Sequence, residues 1–287
     1  MLERFFEANR DRWQETTEGL YRFYLTDLIK WLNGVELAAV SVEMLRAWLA
    51  SHPRWGASSR YQAIMACRNL FAWAVGENQS PAHKLRAPRR VICPQKTLKQ
   101  HEVELFLAAC DTSTGQGTRD VSMIALMVDT GLRVAEIASL RLDMLDLSER
   151  TLAVMIKGGK WGAAVYGSYT TGLLATWIAM RPRIALPGVQ TVFVGVGGRT
   201  PGGPMTRHGI RANFYRIGYR AGLGPIPPHA LRRTFATLAL RAGAPSRLVQ
   251  VAGRWSSLAM VERYSQAITP EDFDAYSPIN RMMGLKS

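Results

Sequence analysis

The sequence predicts a mainly α-helical protein of two domains, the second carrying a small antiparallel β-sheet, and three observations predict it. The 287 residues are long for one ordinary domain and enough for two, each able to bury a core of its own. A stretch rich in proline and base, from Gln79-Ser80-Pro81 through Pro88-Arg89-Arg90 to Pro94-Gln95-Lys96, is crossed by no apolar periodicity and reads as a linker. It sets the domains at 1–92 and 93–287. Apolar residues recur at helical spacing on both sides, interrupted once by three brief apolar runs separated by turn residues.

In the first domain Leu20, Tyr24 and Leu28 mark one helix. Met44, Trp48 and Leu49 mark a second behind a possible cap at Ser41, and Ile64, Cys67 and Phe71 a third, which together make a small all-helical module. In the second domain Thr97 reads as the N-cap of a helix through Val103, Leu105 and Phe106. A further helix from about Asp120 runs through Ile124, Leu126 and Met127 to a stop at Gly131. After a helix from Arg133 to Leu140 come the runs Met144 to Leu147, Leu152 to Ile156 and Ala163 to Tyr166, with Ser148-Glu149-Arg150 and Lys157-Gly158-Gly159-Lys160 as the turns. These predict the sheet. Helices return from Thr170, the clearest being Thr206 to Ala221, Pro228 to Ala242 and Pro245 to Ala252, with proline in first turns and Gly243 as a stop.

Hydrophobic residues make up 47% of the chain and charged residues 20%, the balance of a folding globular protein. No run of 18 apolar residues exists, and Met1-Leu2-Glu3-Arg4 lacks the layout of a secretory signal. A cytoplasmic location is expected. Cys67, Cys93 and Cys110 show no Cys-x-x-Cys or Cys/His spacing, so neither zinc nor a disulfide framework is expected. The charge says more. Thirty-six Lys+Arg against 22 Asp+Glu give +14, and from Arg150 to Val261 there is no acidic residue beside thirteen arginines and two lysines. A merely solvated surface interleaves both signs; this stretch suits the phosphates of a nucleic acid. A membrane surface fits less well, since no basic helix face is paired with a Trp/Phe/Leu face.

Several residues in that region carry chemistry. His229-Ala230-Leu231-Arg232 sets His and Arg three apart on one helix face, where both reach a single anion, although alone such a pair is usually surface charge. In Thr130-Gly131-Leu132-Arg133-Val134-Ala135-Glu136 an arginine follows a glycine break, with Glu136 one turn on to hold its guanidinium; an ordinary ion pair looks the same. Lys157 lies in a glycine-containing turn, a place where exposed lysines are common.

Taken together these residues resemble the tyrosine recombinase (phage integrase) family, whose motif is an arginine, a hairpin lysine, His-x-x-Arg, a His or Trp, and a nucleophilic tyrosine. Arg133, Lys157, His229, Arg232, Trp255 and Tyr264 fall in that order, Trp255 lying 26 residues after His229 and Tyr264 nine after Trp255. The resemblance spans about Thr97 to Ile279. One departure is Ala252-Gly253-Arg254-Trp255 where most members have Leu-Gly-His. Arg254 holds the place next to glycine, Trp255 keeps the nine-residue spacing, and an indole N–H can donate to a phosphate oxygen as a histidine would; Trp255 is preferred. Among rival tyrosines, Tyr215 and Tyr219 are four apart on an expected helix and suit packing or DNA backbone. Tyr276 lies among Glu271, Asp272 and Asp274, a poor place for a phosphate.

The resemblance implies a helical core-binding (SAM-like) domain over 1–92 and a catalytic domain over 93–287, which together clamp double-stranded DNA. It implies cleavage and rejoining through a 3′-phosphotyrosine at Tyr264. Arg133 and Arg232 would hold the phosphate, His229 and Trp255 would add hydrogen bonds, and Lys157 would protonate the leaving 5′ oxygen, with Glu136 in support. A phosphotyrosine conserves the bond energy, so no cofactor or metal is expected; the chain has no Gly-x-x-x-x-Gly-Lys-[Ser/Thr] loop and no carboxylate cluster for magnesium. The segment after Thr269 is expected to dock on a neighbouring protomer in a tetramer on two DNA sites, with an accessory DNA-bending protein or partner recombinase as further candidates. With no arm-binding domain ahead of the helical module, a simple recombinase is expected. A type IB topoisomerase uses similar chemistry, and the Gly243-Ala244-Pro245 turn could belong to a non-enzymatic helix-turn-helix reader; the latter leaves Arg133, Lys157 and Tyr264 without a role.

Overall fold

The helical signals of the first ninety residues resolve into four helices in the computed structural model, which describes residues 1–88, 96–156, 160–198 and 200–265 together with 279 and 282. The chain divides into two units, Met1–Pro94 and Gln95–Ser287, and each has its own core. The first contains α1 (Leu2–Ala8), α2 (Glu15–Leu32), α3 (Val42–Ala50) and α4 (Ala57–Val75). Tyr21, Tyr24, Leu25, Leu28 and Leu32 form the buried stripe of α2, the i, i+3, i+4 pattern of an amphipathic helix. Ser41 caps α3, its hydroxyl accepting the Met44 N–H at 3.2 Å. Helix α1 was not expected: its buried Phe5 and Phe6 are adjacent, and two neighbouring aromatics on seven residues define no period. The stretch read as a linker is also shorter at its start. Pro81–Lys84 is a 3-10 turn whose Ala82, with Leu85, belongs to the first core, held by the Arg68 guanidinium donating to the carbonyls of both. Residues 89–95 lie outside the described residues.

The second unit contains α5 (Gln100–Ala108), α6 (Gly115–Thr130), α7 (Val134–Ser139), β1 (Leu145–Asp146), β2 (Thr151–Ile156), β3 (Lys160–Val165), α8 (Ser168–Met180), α9 (Arg207–Arg220), α10 (Pro228–Arg241), α11 (Ser246–Ala252) and α12 (Leu258–Ser265). The expected antiparallel sheet is present in the order β1-β2-β3, with Leu145 opposite Leu152 and Leu152 opposite Ala164. Asp146 fixes the first turn by accepting the N–H groups of Ser148 and Glu149, both at 2.9 Å.

Two helix starts differ from expectation. Lys99, not Thr97, precedes α5, because Glu102 reaches back to the Lys99 N–H at 2.7 Å. Helix α6 begins at Gly115, capped by the Thr114 hydroxyl on the Gly117 N–H at 3.0 Å, and its glycine-rich first turn hid it from an apolar count. It is buried almost throughout and packs against α8 and α10, so its C-terminal end is a fixed platform. At its start the buried Arg119 is paired with Asp120 at 2.5 Å and donates to the Val194 carbonyl at 3.1 Å. A smaller cluster of Phe235, Ala236, Val249, Trp255 and Val261, with Tyr264 packed against it, joins α10, α11 and α12. Among the described residues no helix is long and apolar enough to cross a membrane, and no group of His, Cys, Asp and Glu could hold a metal ion.

Candidate active site

The site begins where α6 stops. Gly131 ends the helix in the left-handed region at φ 61°, which a side chain adopts only at a cost. A Cβ there would also lie 2.6 Å from Cδ1 of Phe235. Glycine is therefore required twice over, by conformation and by the approach of α10. The turn delivers Arg133 to the head of α7, where Glu136 accepts both its backbone N–H and its guanidinium Nη1 at 2.7 Å. The Arg133 side chain stays 38% exposed, while that of Glu136 is 10% exposed. One carboxylate thus anchors an arginine whose remaining donors face solvent.

Helix α10 starts on Pro228, a residue suited to a first turn. His229 follows in that turn and Arg232 comes one turn later. Solvent reaches the imidazole, yet enough protein surrounds it that desolvation, followed by the charges of Arg233, Arg232 and Arg133, pulls its pKa below the usual histidine value. Arg232 is only 5% exposed. It donates from Nη1 to the Gly131 carbonyl and from Nη2 to the Gly253 carbonyl at 2.6 Å, and its guanidinium lies 4.4 Å over the Trp255 ring. Burial first, then Arg133, lowers its pKa to about 10, while Glu136 and Tyr264 pull the other way. It remains a cation at neutral pH. Among the described residues two of its five N–H groups are occupied by backbone, which leaves three for a ligand.

The third segment is Gly253-Arg254-Trp255, between α11 and α12. A Cβ on Gly253 would fall 1.9 Å from the Trp255 ring, so glycine lets the indole fold back against its own backbone. Trp255 exchanges hydrogen bonds with Gln250, N–H to carbonyl at 3.0 Å and side-chain amide to carbonyl at 3.2 Å. Its ring stacks on Phe235 with centroids 6.0 Å apart and planes at 15°, and it meets Tyr264 at 5.5 Å and 46°. Trp255 is a core aromatic, 6% exposed, and also the surface on which the guanidinium of Arg232 and the ring of Tyr264 rest. Arg254 turns the other way, into the protein, its side chain 5% exposed. It donates to the carbonyls of Ala252 at 2.8 Å and Thr130 at 3.3 Å.

Of the expected residues, Arg133, Glu136, Arg232, Trp255 and Tyr264 therefore gather around one locus, with His229 within electrostatic reach. Lys157 and the rival Tyr276 lie outside the described residues. Tyr215 and Tyr219 do not join the locus: Tyr215 accepts a hydrogen bond from Arg211 at 3.0 Å on α9, and Tyr219 is 65% exposed.

The phage integrase family model matches residues 96–269, which takes in every residue of this locus. The chain belongs to the phage integrase family. Among curated relatives it is 31% identical over 149 residues to tyrosine recombinase XerC of Xylella fastidiosa (strain M23), covering 50% of each chain. It is 30% identical over 185 residues to tyrosine recombinase XerD of Vibrio cholerae, covering 62% of this chain and 61% of that one. The chain spans about half the length of the XerC relatives it matches. Its fold is that of solved members: a lambda integrase(75-356) dimer bound to a COC′ core site gives a TM-score of 0.75 at 17% identity, over 94% of this chain and 95% of that one. The Tn1549 transposon integrase in complex with transposon right end DNA gives 0.74 at 17% identity, over 97% and 98%.

Two parts of this integrase site were not read from the sequence. Phe235, which touches Gly131 and stacks on Trp255, carries a weak signal in its position three residues after Arg232 on the same helix. Arg254 stands in the sequence as an alternative to Trp255, and its inward direction has no signal there other than the glycine before it.

Proposed function

We propose that this integrase is a site-specific recombinase that cleaves and rejoins double-stranded DNA through a 3′-phosphotyrosine on Tyr264. One observation carries the reading: Arg232 is bonded to the turn that presents Arg133 and to the loop that presents Trp255, with Tyr264 against the Trp255 ring. Two arginines and a tyrosine from three separate segments are thereby held in one place.

The chemistry requires an alkoxide to leave phosphorus while negative charge builds on the nonbridging oxygens. Arg133, open to solvent, and the unspent donors of Arg232 meet that charge, and fixed donors cost no reorganisation as the transition state forms. Tyr264 attacks phosphorus through its phenolic oxygen, the P–O5′ bond breaks, and the phenolic proton passes to a base. His229, with its lowered pKa, is largely neutral at pH 7 and able to take that proton. Trp255 supports Arg232 and offers its indole N–H to the phosphate. Lys157, by family resemblance, supplies the proton to the 5′ oxygen. A 5′ hydroxyl from a second strand then attacks the phosphotyrosine, so bond energy is kept and no nucleotide cofactor is consumed.

The acid-free, arginine-rich stretch supports duplex DNA as ligand. The first unit serves as the core-binding domain, and four copies assemble on two sites, consistent with a nucleoid-associated location in the cytoplasm; an accessory DNA-bending or partner protein completes the assembly. Nothing in the comparisons favours a type IB topoisomerase or a helix-turn-helix regulator. The test is trapping on a nicked suicide duplex that carries the recombination site. A covalent 3′-linked adduct is expected, whereas tight binding without an adduct leaves the non-enzymatic reader.

A further inference from the structure

The reading above leaves Arg254 unused, and its surroundings are unlike those of a bystander. It is one of three non-glycine residues with positive φ among the described residues, at 55°, a conformation that brings the Cβ of an ordinary side chain too close to the following carbonyl oxygen. Its guanidinium is buried, and its Nε has no hydrogen-bond partner among the described residues. A strained backbone and a desolvated cation persist only where surrounding structure holds them.

The partners show what it holds. Arg232 joins the carbonyl of Gly131 to that of Gly253. Arg254 joins the carbonyl of Thr130 to that of Ala252. Two guanidinium groups thus stitch the same two segments together at consecutive residues, one segment presenting Arg133 and the other Trp255. Arg254 Nη2 also lies 3.7 Å from Oε2 of Glu136, the carboxylate that grips Arg133. Glu136 therefore stands between an outward arginine and an inward one, and the inward charge holds it in place.

We propose that Arg254 is a positioning residue for strand cleavage: it acts through Glu136 and the 130–131 and 252–253 backbones to hold Arg133 and Trp255 in register with Tyr264. The inference rests on the recombinase reading. Its consequence is that Arg254 matters for the chemical step and little for DNA affinity, since its charge is turned away from the surface.

The experiment compares single-turnover cleavage of a nicked duplex, duplex affinity and melting temperature for the parent, Arg254→Lys, Arg254→Met and Arg254→Gly. Arg254→Met should bind duplex as the parent does but cleave on the order of tenfold to a hundredfold more slowly, the scale of a small misplacement of reacting groups. Arg254→Lys should fall between, because an ammonium supplies charge to Glu136 but not a planar bridge between two carbonyls. Arg254→Gly relieves the backbone and empties the guanidinium site, so millimolar guanidinium should restore cleavage several-fold against a matched potassium control. Parent-like cleavage by Arg254→Met overturns the proposal. So does a loss that tracks a lowered melting temperature across the series and does not respond to guanidinium in Arg254→Gly, which would mark ordinary fold support. A parent that traps no adduct overturns the recombinase reading and this inference with it; a competent parent with equally competent variants overturns this inference alone.

Discussion

Arg133 and Arg232 occupy opposite environments, and each should fail differently from a surface arginine. Arg133 is held at one end by Glu136 and exposed at the other, while Arg232 lies buried over the Trp255 ring that Tyr264 also meets, with part of its fork already committed to backbone. Their charges matter most when the phosphate charge grows, so Arg133→Ala or Arg232→Ala should slow single-turnover cleavage by roughly 2.7–4 kcal/mol, the scale for one lost donor at such a site. Duplex affinity should stay near that of the parent for Arg133→Ala, as filter binding reads it. A variant that cleaves at the parent rate removes that arginine from the site. His229 gives a pH prediction with a defined sign. Its pKa is lowered from 6.5 by desolvation and three arginines, and the neutral form accepts the proton. The kcat/KM for cleavage should therefore hold as pH falls from 8 to 6.5 and decline only below that, and His229→Gln should lose this limb. A midpoint above 6.5 contradicts the assignment.

At the scale of elements, two glycines decide where the side chains of the candidate site lie. Gly131→Ala has to pay for the left-handed backbone and displace Phe235; a loss of at least about 1 kcal/mol in urea unfolding is expected, and an unchanged midpoint speaks against the turn geometry. Gly253→Ala pushes on the Trp255 ring instead, so it should lower cleavage more than it lowers stability. The sequence made much of this legible. The helix and strand periods in the second unit mark α9, α10, α11, β1 and β2 to within a residue or two, because each is bounded by proline, glycine or a short polar turn, whereas β3 starts at Lys160, three residues before the expected Ala163. Helix α1 and the first turn of α6 were hidden, one by being too short for a period and the other by its glycines. The order Arg133, His229, Arg232, Trp255, Tyr264 could be read because spacing along the chain survives folding; Lys157 lies outside the described residues. The double brace of Arg232 and Arg254 could not, since each arginine has one partner among backbone carbonyls more than a hundred residues away, and carbonyls carry no sequence signature.

At the scale of the whole molecule the distribution of charge is the governing fact. A net charge of +14, with no acid between Arg150 and Val261, means that DNA binding should release many counterions. The log–log dependence of affinity on salt should be steeper than about −3, and a shallower slope in filter binding argues against a duplex-binding surface. The proposed reaction is covalent, and it is read most directly from the identity of the residue attached to DNA after reaction with a nicked suicide duplex. Mass spectrometry of the digested adduct should find the 3′ phosphate on the peptide containing Tyr264, with Tyr264→Phe binding the same duplex and forming no adduct while Tyr276→Phe is still trapped. A phosphotyrosyl peptide from any other position, or a 3′-linked adduct formed by Tyr264→Phe, contradicts the account.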